Sequence, residues 1–383
     1  MLRNLFKALL VSIPVLGFLR LVVDVALHPE KFQWDFQVHY EAAKLYFSGQ
    51  NPYELTSFVF LPISMWFFYP LTWFSYSTAY LLILGFKVVC VFLLFWIWKK
   101  YFLKENWGLS FFIFCLLAFY STLHLDFRAG NVTVIEQFFL WIGFVFFLAR
   151  KFLWFSVFVI CAACFKILPA FFLILLLFTG KPRAFFDFLR ACLAMVLIFV
   201  FSYYMGEEMI VKFLATATQR VGEGGVYSPS TLAFIRDSMP YFMRLNLYHP
   251  YLPLILYLSV CAAVIAISSL LIKKLKSPFE FIVLACFVFA LILPRFKDYS
   301  YALLLVPAFC VLKEASKKIP SFFPFCLIFI LSPKFVPIPP WFNHVAPLFW
   351  EYYPLFLAYF AWGLLVWLKC SERTNIASDW LSQ

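Results

Sequence analysis

Apolar stretches of roughly twenty residues recur along most of the chain and alternate with short polar breaks. A helical run of about 20 apolar residues is long enough to cross the hydrocarbon core of a bilayer. The pattern therefore predicts a membrane protein built from many helices. The predicted spans cover residues 5–27, 77–98, 108–124, 131–149, 185–205, 251–272, 279–293, 299–312, 320–333 and 346–368.

Two further apolar stretches do not fit a simple crossing. Residues 152–179 have basic residues at both ends, so they cross twice or not at all, and Pro169 divides them into a bent hairpin. Residues 58–76 contain two prolines, and their Trp and Tyr side chains favour a position along the outer interface. The expected fold class is an all-α, polytopic transmembrane protein with about ten to twelve spans and interfacial helices in its first outer loop.

Composition supports a lipid environment for most of the chain. Of its 383 residues, 64% are hydrophobic and 13% are charged, against about 45–50% and about 25% in soluble domains. The net charge of +12 is spread over small Lys/Arg clusters between the apolar runs. This distribution is typical of cytoplasmic loops and not of a nucleic-acid-binding face, so no nucleic-acid partner is expected.

Joining the basic clusters places both termini in the cytoplasm. The expected organisation is one transmembrane catalytic domain over residues 1–368, followed by a short cytoplasmic tail at 369–383. Functional side chains are expected in the segments outside the cytoplasm, because loops held by a rigid scaffold commonly carry function. These outer segments are residues 28–76, 125–130, 206–250, 294–298 and 334–345.

The first outer segment carries a candidate general base. Residues from Phe32 onward alternate polar and apolar at helical spacing until Gly49, which places Asp35 and His39 on one face of a helix. A carboxylate fixed at the membrane surface can deprotonate a hydroxyl, with His39 as its hydrogen-bond partner or as a substrate contact. The alternative is an amphipathic interfacial helix whose polar groups are simply solvated.

Cations supply a second set of candidates. Arg128 lies near Asp126 and Asn131 in a short outer loop, where it could hold a phosphate, pair with Asp126 or reach a lipid headgroup. Lys166 and Lys87 lie within apolar stretches, where a lysine is costly and marks a functional site by default. Lys166 is the stronger candidate because Pro169 opens the backbone beside it, whereas Lys87 could find an acidic or carbonyl partner.

The later outer segments add polar groups. Ser230 lies in a glycine-containing loop, and Arg295 and Lys297 follow the next outer helix end, where they could clamp an anionic headgroup or meet lipid phosphate. The chain has five well-separated histidines and lacks the common metal-site motifs, so neither a metal nor a cofactor is predicted.

The order of these pieces resembles glycosyltransferase family 87. The first-loop pattern of that family is matched by Asp35, His39, Tyr40, Ala42, Ala43, Gly49, Asn51, Pro52 and Tyr53, and its K-x-x-P element by Lys166 and Pro169. Three motifs of the family are altered here. They are replaced by Gly130, Asn131, Val132 and Thr133, by Ser228, Pro229 and Ser230, and by Lys297, Asp298 and Tyr299. The resemblance covers roughly residues 30 to 310.

The resemblance implies a GT-C-like membrane fold and a hexosyltransferase. The implied donor is a polyprenyl-phosphate sugar, mannose in the family, and the acceptor is a glycolipid or glycan hydroxyl outside the cytoplasm, in a bacterial inner membrane. It implies Asp35 as catalytic base in an inverting, metal-independent transfer. From their positions and the resemblance together, the residues expected to bind substrate are His39, Tyr40, Arg128, Asn131, Lys166, Ser230, Arg295, Lys297 and Tyr299. The alternative class is a transporter or flippase for a lipid-linked anion, which would use the same cations and broken helix.

Overall fold

All regular elements are helical in the part of the chain that the structure describes. The computed structural model describes residues 2–55, 57–103, 108–220, 222–243, 251–319, 328–330 and 346–371. The prediction of an all-α polytopic membrane protein is confirmed. Outer segment 334–345, most of the predicted span 320–333 and most of the tail 369–383 lie outside the described residues.

Five described helices are long and apolar enough to cross a membrane, judged by length and composition. They are Tyr76–Leu103, Gly108–Ala129, Pro182–Met205, Leu252–Ile272 and Tyr353–Ser371. Four shorter apolar helices complete the set: Thr133–Leu148, Phe152–Phe165, Leu168–Thr179 and Pro278–Ile292. Each of these nine coincides with a stretch that the apolar pattern predicted, while the total of about ten to twelve spans stays a prediction.

The chain divides into two compact units. The first comprises Met1–Leu116 and Leu123–Arg220, and the second comprises Leu117–Thr122 and Val221–Gln383. The expectation of one catalytic domain over residues 1–368 stays a prediction.

The first unit contains two of the candidate site residues, Asp35 and Lys166, on separate elements. Its α-helices are α1 (Leu2–Leu27), α2 (Trp34–Phe47), α3 (Pro52–Leu55), α4 (Ser64–Phe68), α5 (Tyr76–Ile97), α6 (Gly108–Ala129, shared with the second unit), α7 (Thr133–Leu148), α8 (Phe152–Phe165), α9 (Pro182–Met205) and α10 (Glu207–Arg220). A π-helical turn, Trp98–Leu103, extends α5, and 3-10 helices cover Pro29–Lys31, Tyr69–Trp73 and Leu168–Thr179. Helix α7 packs against both α5 and α8.

The second unit consists of the later helices. They are α11 (Thr231–Met243), α12 (Leu252–Ile272), α13 (Pro278–Ile292), α14 (Leu305–Ser316), α15 (Ala346–Glu351) and α16 (Tyr353–Ser371), with a 3-10 helix at Asp298–Leu304. Ser277 immediately precedes helix α13, and its side chain accepts a hydrogen bond from the Glu280 amide and caps the helix. Helix α16 packs against α12, α13 and α14.

The predicted break in residues 152–179 is confirmed and lies at Lys166. Helix α8 ends there because Lys166 has extended backbone angles, φ −140° and ψ 127°, and a 3-10 helix resumes at Leu168 with Pro169 in its first turn. Proline favours the first turn of a helix, where its missing N–H has no partner to lose. The two halves pack against each other. The break leaves Lys166 at a helix end and not inside a continuous apolar helix.

Residues 58–76 form only short helices, as their prolines predict. Helix α4 and the 3-10 helix Tyr69–Trp73 are each five residues long, too short to cross a bilayer. Trp66, Trp73 and Phe74 are exposed on this segment. Exposed tryptophans are typical of the membrane–water boundary, which supports the predicted interfacial position.

Candidate functional site

Asp35 lies in the first turn of α2, where the helix start is held from two sides. Gln33 precedes the helix in the left-handed conformation, with φ 78°. Its backbone N–H donates to the Arg128 carbonyl at 2.9 Å, and its side-chain oxygen accepts a hydrogen bond from the Tyr76 hydroxyl at 3.2 Å. These contacts fix the start of α2 beside the turn that follows α6.

Gly130, in that turn, permits the close approach. It has φ +65°, and a Cβ at this position would lie 3.0 Å from Gln33 Cα and 3.0 Å from Phe36 Cβ. No ordinary side chain fits that gap without moving α2, and the left-handed backbone is itself unfavourable for residues other than glycine.

Gly130→Ala is therefore expected to destabilise the protein and to displace Asp35. The left-handed backbone alone costs about 1–2 kcal/mol, and the contacts with α2 add to it. The melting temperature measured in detergent and the turnover rate should both fall. Gly85→Ala is the matched control, because Gly85 lies within α5 and a Cβ added there would have nothing within 4 Å. The melting temperature of this variant should equal or exceed that of the wild type.

Asn131 joins the carboxylate to a buried lysine. Its Nδ2 donates to Asp35 Oδ2 at 2.6 Å. Its Oδ1 accepts from Lys166 Nζ at 3.0 Å, from the Thr133 hydroxyl at 2.8 Å and from the Thr133 backbone N–H at 3.0 Å. The amide orientation follows from these partners, because an oxygen surrounded by donors leaves the nitrogen facing the carboxylate.

Lys166 makes three contacts of its own at this point. Its Nζ donates to Asn131 Oδ1 at 3.0 Å and to Thr133 Oγ1 at 2.5 Å, and it lies 3.2 Å from Glu136 Oε2. An ammonium group has three N–H donors; two of these contacts are hydrogen bonds and the third is an ion pair. Only 16% of the Lys166 side chain and 9% of the Glu136 side chain are exposed. In this arrangement the lysine orients the Asn131 amide.

A second buried ion pair joins α5 to the last turn of α6. Lys87 Nζ is 2.7 Å from Asp126 Oδ2 and donates to the Asp126 carbonyl at 2.9 Å. The side chains of Lys87 and Asp126 are 2% and 0% exposed. The expectation that Lys87 finds an acidic or carbonyl partner is confirmed on both counts.

In sequence, Arg128 lies between Asp126 of one ion pair and Glu136 of the other. Its own side chain is exposed. Asp126 pairs with Lys87, and the described residues show no ion pair between Asp126 and Arg128. The guanidinium carbon is 6.0 Å from the centroid of the Phe32 ring. Of the roles considered for Arg128, pairing with Asp126 is excluded in this structure and the anion-binding roles stay predictions.

His39 is fully buried and does not contact Asp35 through a hydrogen bond. Its ring stacks on Phe68 at 4.3 Å and lies 4.1 Å from the Phe60 ring centroid. Neither ring nitrogen has a hydrogen-bond partner among the described residues. Burial, with a smaller contribution from the Lys166 charge, lowers the pKa of His39 to about 3. The imidazole is therefore neutral, and its expected hydrogen bond to Asp35 is not formed.

This burial predicts a pH dependence of stability. Between about pH 3 and pH 6.5 the unfolded chain protonates His39 while the folded protein does not, so stability present above pH 6.5 is lost as the pH falls. His39→Phe should remove this component, because phenylalanine fits between Phe60 and Phe68 without a proton to bind. Melting temperatures measured from pH 7 to pH 4 should fall less steeply for the variant. Parallel curves for the two proteins would contradict the assignment.

Tyr40 is buried, and its hydroxyl donates to the Phe74 carbonyl at 2.9 Å. This contact ties α2 to the interfacial segment and leaves the ring without an exposed face for a sugar. Trp34, in contrast, is 53% exposed. Of these two aromatic residues on α2, Trp34 is the one whose ring a sugar could reach.

The candidates of the second unit form a separate cluster. Arg295 makes a bidentate contact with Glu223, at 3.1 Å for each hydrogen bond, and Lys297 Nζ lies 2.5 Å from the same carboxylate. Burial alone raises the pKa of Glu223, but hydrogen bonds and charge from Arg295 and Lys297 outweigh it and lower the net pKa. The anion held by these cations in the structure is thus Glu223.

Ser230 and Tyr299 also belong to the second unit. The Ser230 hydroxyl donates to the Pro294 carbonyl at 2.6 Å and the side chain is buried, which indicates a role in holding the loop. Tyr299 lies in the 3-10 helix Asp298–Leu304 and is partly exposed. Substrate contacts for both stay predictions.

Sequence reasoning missed three contributors to the first-unit site: Gln33, Thr133 and Glu136. Glu136 offered a signal, because a carboxylate within an apolar stretch marks a functional site as a lysine does. Gln33 and Thr133 act through backbone or local contacts that no spacing rule identifies. Among the described residues, no group of three or more His, Cys, Asp or Glu side chains could hold a metal ion.

Comparison with known proteins identifies one family. The model of glycosyltransferase family 87 matches residues 58–294, more than half of the chain. The matched region includes Arg128, Asn131, Lys166, Ser230 and the buried pair of Lys87 and Asp126, and it begins after Asp35. No curated protein and no solved structure matches the chain significantly.

Proposed function

The chain belongs to glycosyltransferase family 87, and from this membership we propose that it transfers a hexose from a polyprenyl-phosphate donor to an acceptor hydroxyl. The membership makes it a membrane glycosyltransferase. The donor class, mannose as the sugar, inversion at the anomeric carbon and a site outside the cytoplasm are parts of the proposal. A glycolipid or glycan in a bacterial inner membrane is the proposed acceptor.

The observation that carries the proposal is the hydrogen bond between Asn131 and Asp35. It occupies Oδ2 of a partly exposed carboxylate at 2.6 Å. Among the described residues, Asp35 Oδ1 has no hydrogen-bond donor. A general base needs one oxygen within reach of the proton that it abstracts and a fixed orientation for that oxygen. Asp35 meets both requirements.

In the proposed step the acceptor oxygen attacks the anomeric carbon while its proton passes to Asp35. The bond between that carbon and the phosphate oxygen breaks, and polyprenyl phosphate departs with the electron pair. The transition state resembles an oxocarbenium ion, as in other glycosyl chemistry. Attack opposite to the leaving phosphate inverts the anomeric centre.

Charge on the leaving phosphate needs a cation that is not already neutralised. Lys166 is paired with Glu136 at 3.2 Å, and Lys87 is paired with Asp126 at 2.7 Å. Arg128 is exposed and is part of the same turn as Asn131. A guanidinium suits a phosphate because its planar N–H groups match two oxygens at once. We therefore assign the donor phosphate to Arg128 and an orienting role to Lys166.

The position of α2 suits a donor anchored in lipid. The helix is too polar to span a membrane, and it packs against α4 and the 3-10 helix Tyr69–Trp73. Trp66 and Trp73 on those elements are exposed, as expected at the membrane boundary. A polyprenyl tail would lie in the bilayer while its phosphate and sugar remain at the level of α2.

Reconstitution tests the proposal. The purified protein in liposomes is supplied with labelled polyprenyl-phosphate mannose and candidate lipid and glycan acceptors, in EDTA because no metal is required. Label in the acceptor, with inverted anomeric configuration by NMR, is the expected result. Movement of the donor between leaflets without transfer would instead identify a flippase, and use of a nucleotide sugar in its place would exclude the proposed donor.

A further inference from the structure

Among the described residues of the first unit, the ion pair between Lys87 and Asp126 is the most deeply buried charged contact. Its two side chains are 2% and 0% exposed. Burying an isolated charge pair in a membrane protein is expensive, and apolar residues of similar size often serve stability as well or better. Stability alone therefore does not explain why these charges are present.

We propose that Lys87, together with Tyr76 on the same helix, is a positioning residue for Asp35. The inference rests on the proposed role of Asp35 as the base. Neither residue touches the substrate. Each residue holds one of the two segments that position the Asp35 carboxylate.

Lys87 holds the segment that carries Asn131. The Asp126 carbonyl accepts hydrogen bonds from Lys87 Nζ at 2.9 Å and from the Asn131 backbone N–H at 3.1 Å. The ammonium also binds the Asp126 carboxylate at 2.7 Å. One cation thereby fixes the last turn of α6, where a positive charge is favoured near the helix C-terminus. The next link is the Asn131 side chain, which donates to Asp35 at 2.6 Å.

Tyr76 holds the segment that precedes Asp35. Its hydroxyl donates to Gln33 Oε1 at 3.2 Å, and the backbone of Gln33 is bonded in turn to Arg128 at 2.9 Å. Tyr76 and Lys87 lie about three helical turns apart on α5, so they project from the same face. Through these two side chains, that face contacts both the start of α2 and the end of α6. It thereby fixes the position of Asp35 relative to the Asn131 amide.

The test compares folded variants by kcat, KM and melting temperature. Lys87→Met/Asp126→Asn removes both charges without leaving either unpaired, a change that commonly preserves stability. Tyr76→Phe removes one partly exposed hydroxyl and should fold. The control, Lys212→Met/Glu54→Gln, removes a lysine–carboxylate pair at 3.3 Å elsewhere in the first unit.

A misplaced base slows the chemical step more than it weakens donor binding. The double variant should lose about tenfold to a hundredfold in kcat with KM nearly unchanged, since a displacement of about 1 Å can cost that much. Tyr76→Phe should lose a smaller factor, and the control should match wild type. Wild-type kcat in the folded variants overturns the inference, and if the double variant does not fold, Tyr76→Phe decides alone. An inactive wild type would instead overturn the proposed function.

Discussion

Asp35→Asn should abolish most sugar transfer while leaving the fold and the donor affinity nearly unchanged. The amide is isosteric with the carboxylate, and its oxygen can still accept the hydrogen bond that Asn131 donates at 2.6 Å. Only the capacity to take a proton is lost. General-base catalysis contributes about 10²–10⁴-fold, so kcat should fall by that factor. Steady-state kinetics with labelled donor measure it.

Glu41→Gln is the matched control for this variant. Glu41 lies on the same helix, is exposed, and accepts a hydrogen bond from Gln37 at 2.8 Å. Its replacement removes one carboxylate from α2 without touching the contacts of Asp35, and turnover should stay at the wild-type value. If both variants retained full activity, another group would have to act as the base.

Lys166→Ala should reduce stability and turnover together. Removing the ammonium leaves Glu136, 9% exposed, without the cation 3.2 Å away. Loss of one partner of a buried pair costs about 3 kcal/mol or more, which thermal or denaturant unfolding would detect. Turnover should fall by about tenfold to a hundredfold, because Asn131 loses the lysine that holds its oxygen and is free to turn away from Asp35.

A second replacement separates the two effects. Lys166→Ala/Glu136→Gln leaves no unpaired buried charge, so most of the lost stability should return. Turnover should remain low, because the donor to Asn131 Oδ1 is still missing. Recovery of turnover along with stability would show that Lys166 serves the fold alone and that Asn131 needs no orientation.

The helical elements of the first unit were predictable because apolar periodicity and prolines act locally. The stretch from Phe32 to its terminating Gly49 was predicted as a helix from polar–apolar spacing, and α2 (Trp34–Phe47) confirms it. Pro169 predicted a break in residues 152–179, and the structure has one three residues earlier, at Lys166. Both depend on residues within one or two turns of each other, which a sequence displays directly.

The connections within the site were not predictable from spacing. Asp35, Asn131 and Lys166 were each chosen separately, but the hydrogen bonds joining them cross 96 and 35 positions of sequence. Such contacts depend on how α2, α7 and α8 pack. The same limit applies to Lys87 and Asp126, which are 39 positions apart. A pair with Asp126 was one of the roles considered for Arg128, whereas in the structure Lys87 from α5 contacts Asp126.

Pairing between oppositely charged side chains is the other reason why the structure differs from the sequence prediction. Arg295 and Lys297 were expected to hold an external anion because they follow a helix end in an outer segment. In the structure Glu223 contacts both. Glu223 lies beside two glycines in a loop far away in sequence, and no pattern connects it with the later cations. The positions of the cations are visible in the sequence, whereas the carboxylate that each cation binds depends on how the chain folds.

In the proposed reaction, Asp35 lies outside the cytoplasm and faces a phosphate-bound sugar. Asp35→Cys, in a chain whose ten native cysteines are replaced, allows this position to be labelled with a membrane-impermeant maleimide. We predict labelling from the non-cytoplasmic side only, slowed by polyprenyl-phosphate mannose but not by the free polyprenol. Labelling from the cytoplasmic side, or a rate that the donor leaves unchanged, would contradict it.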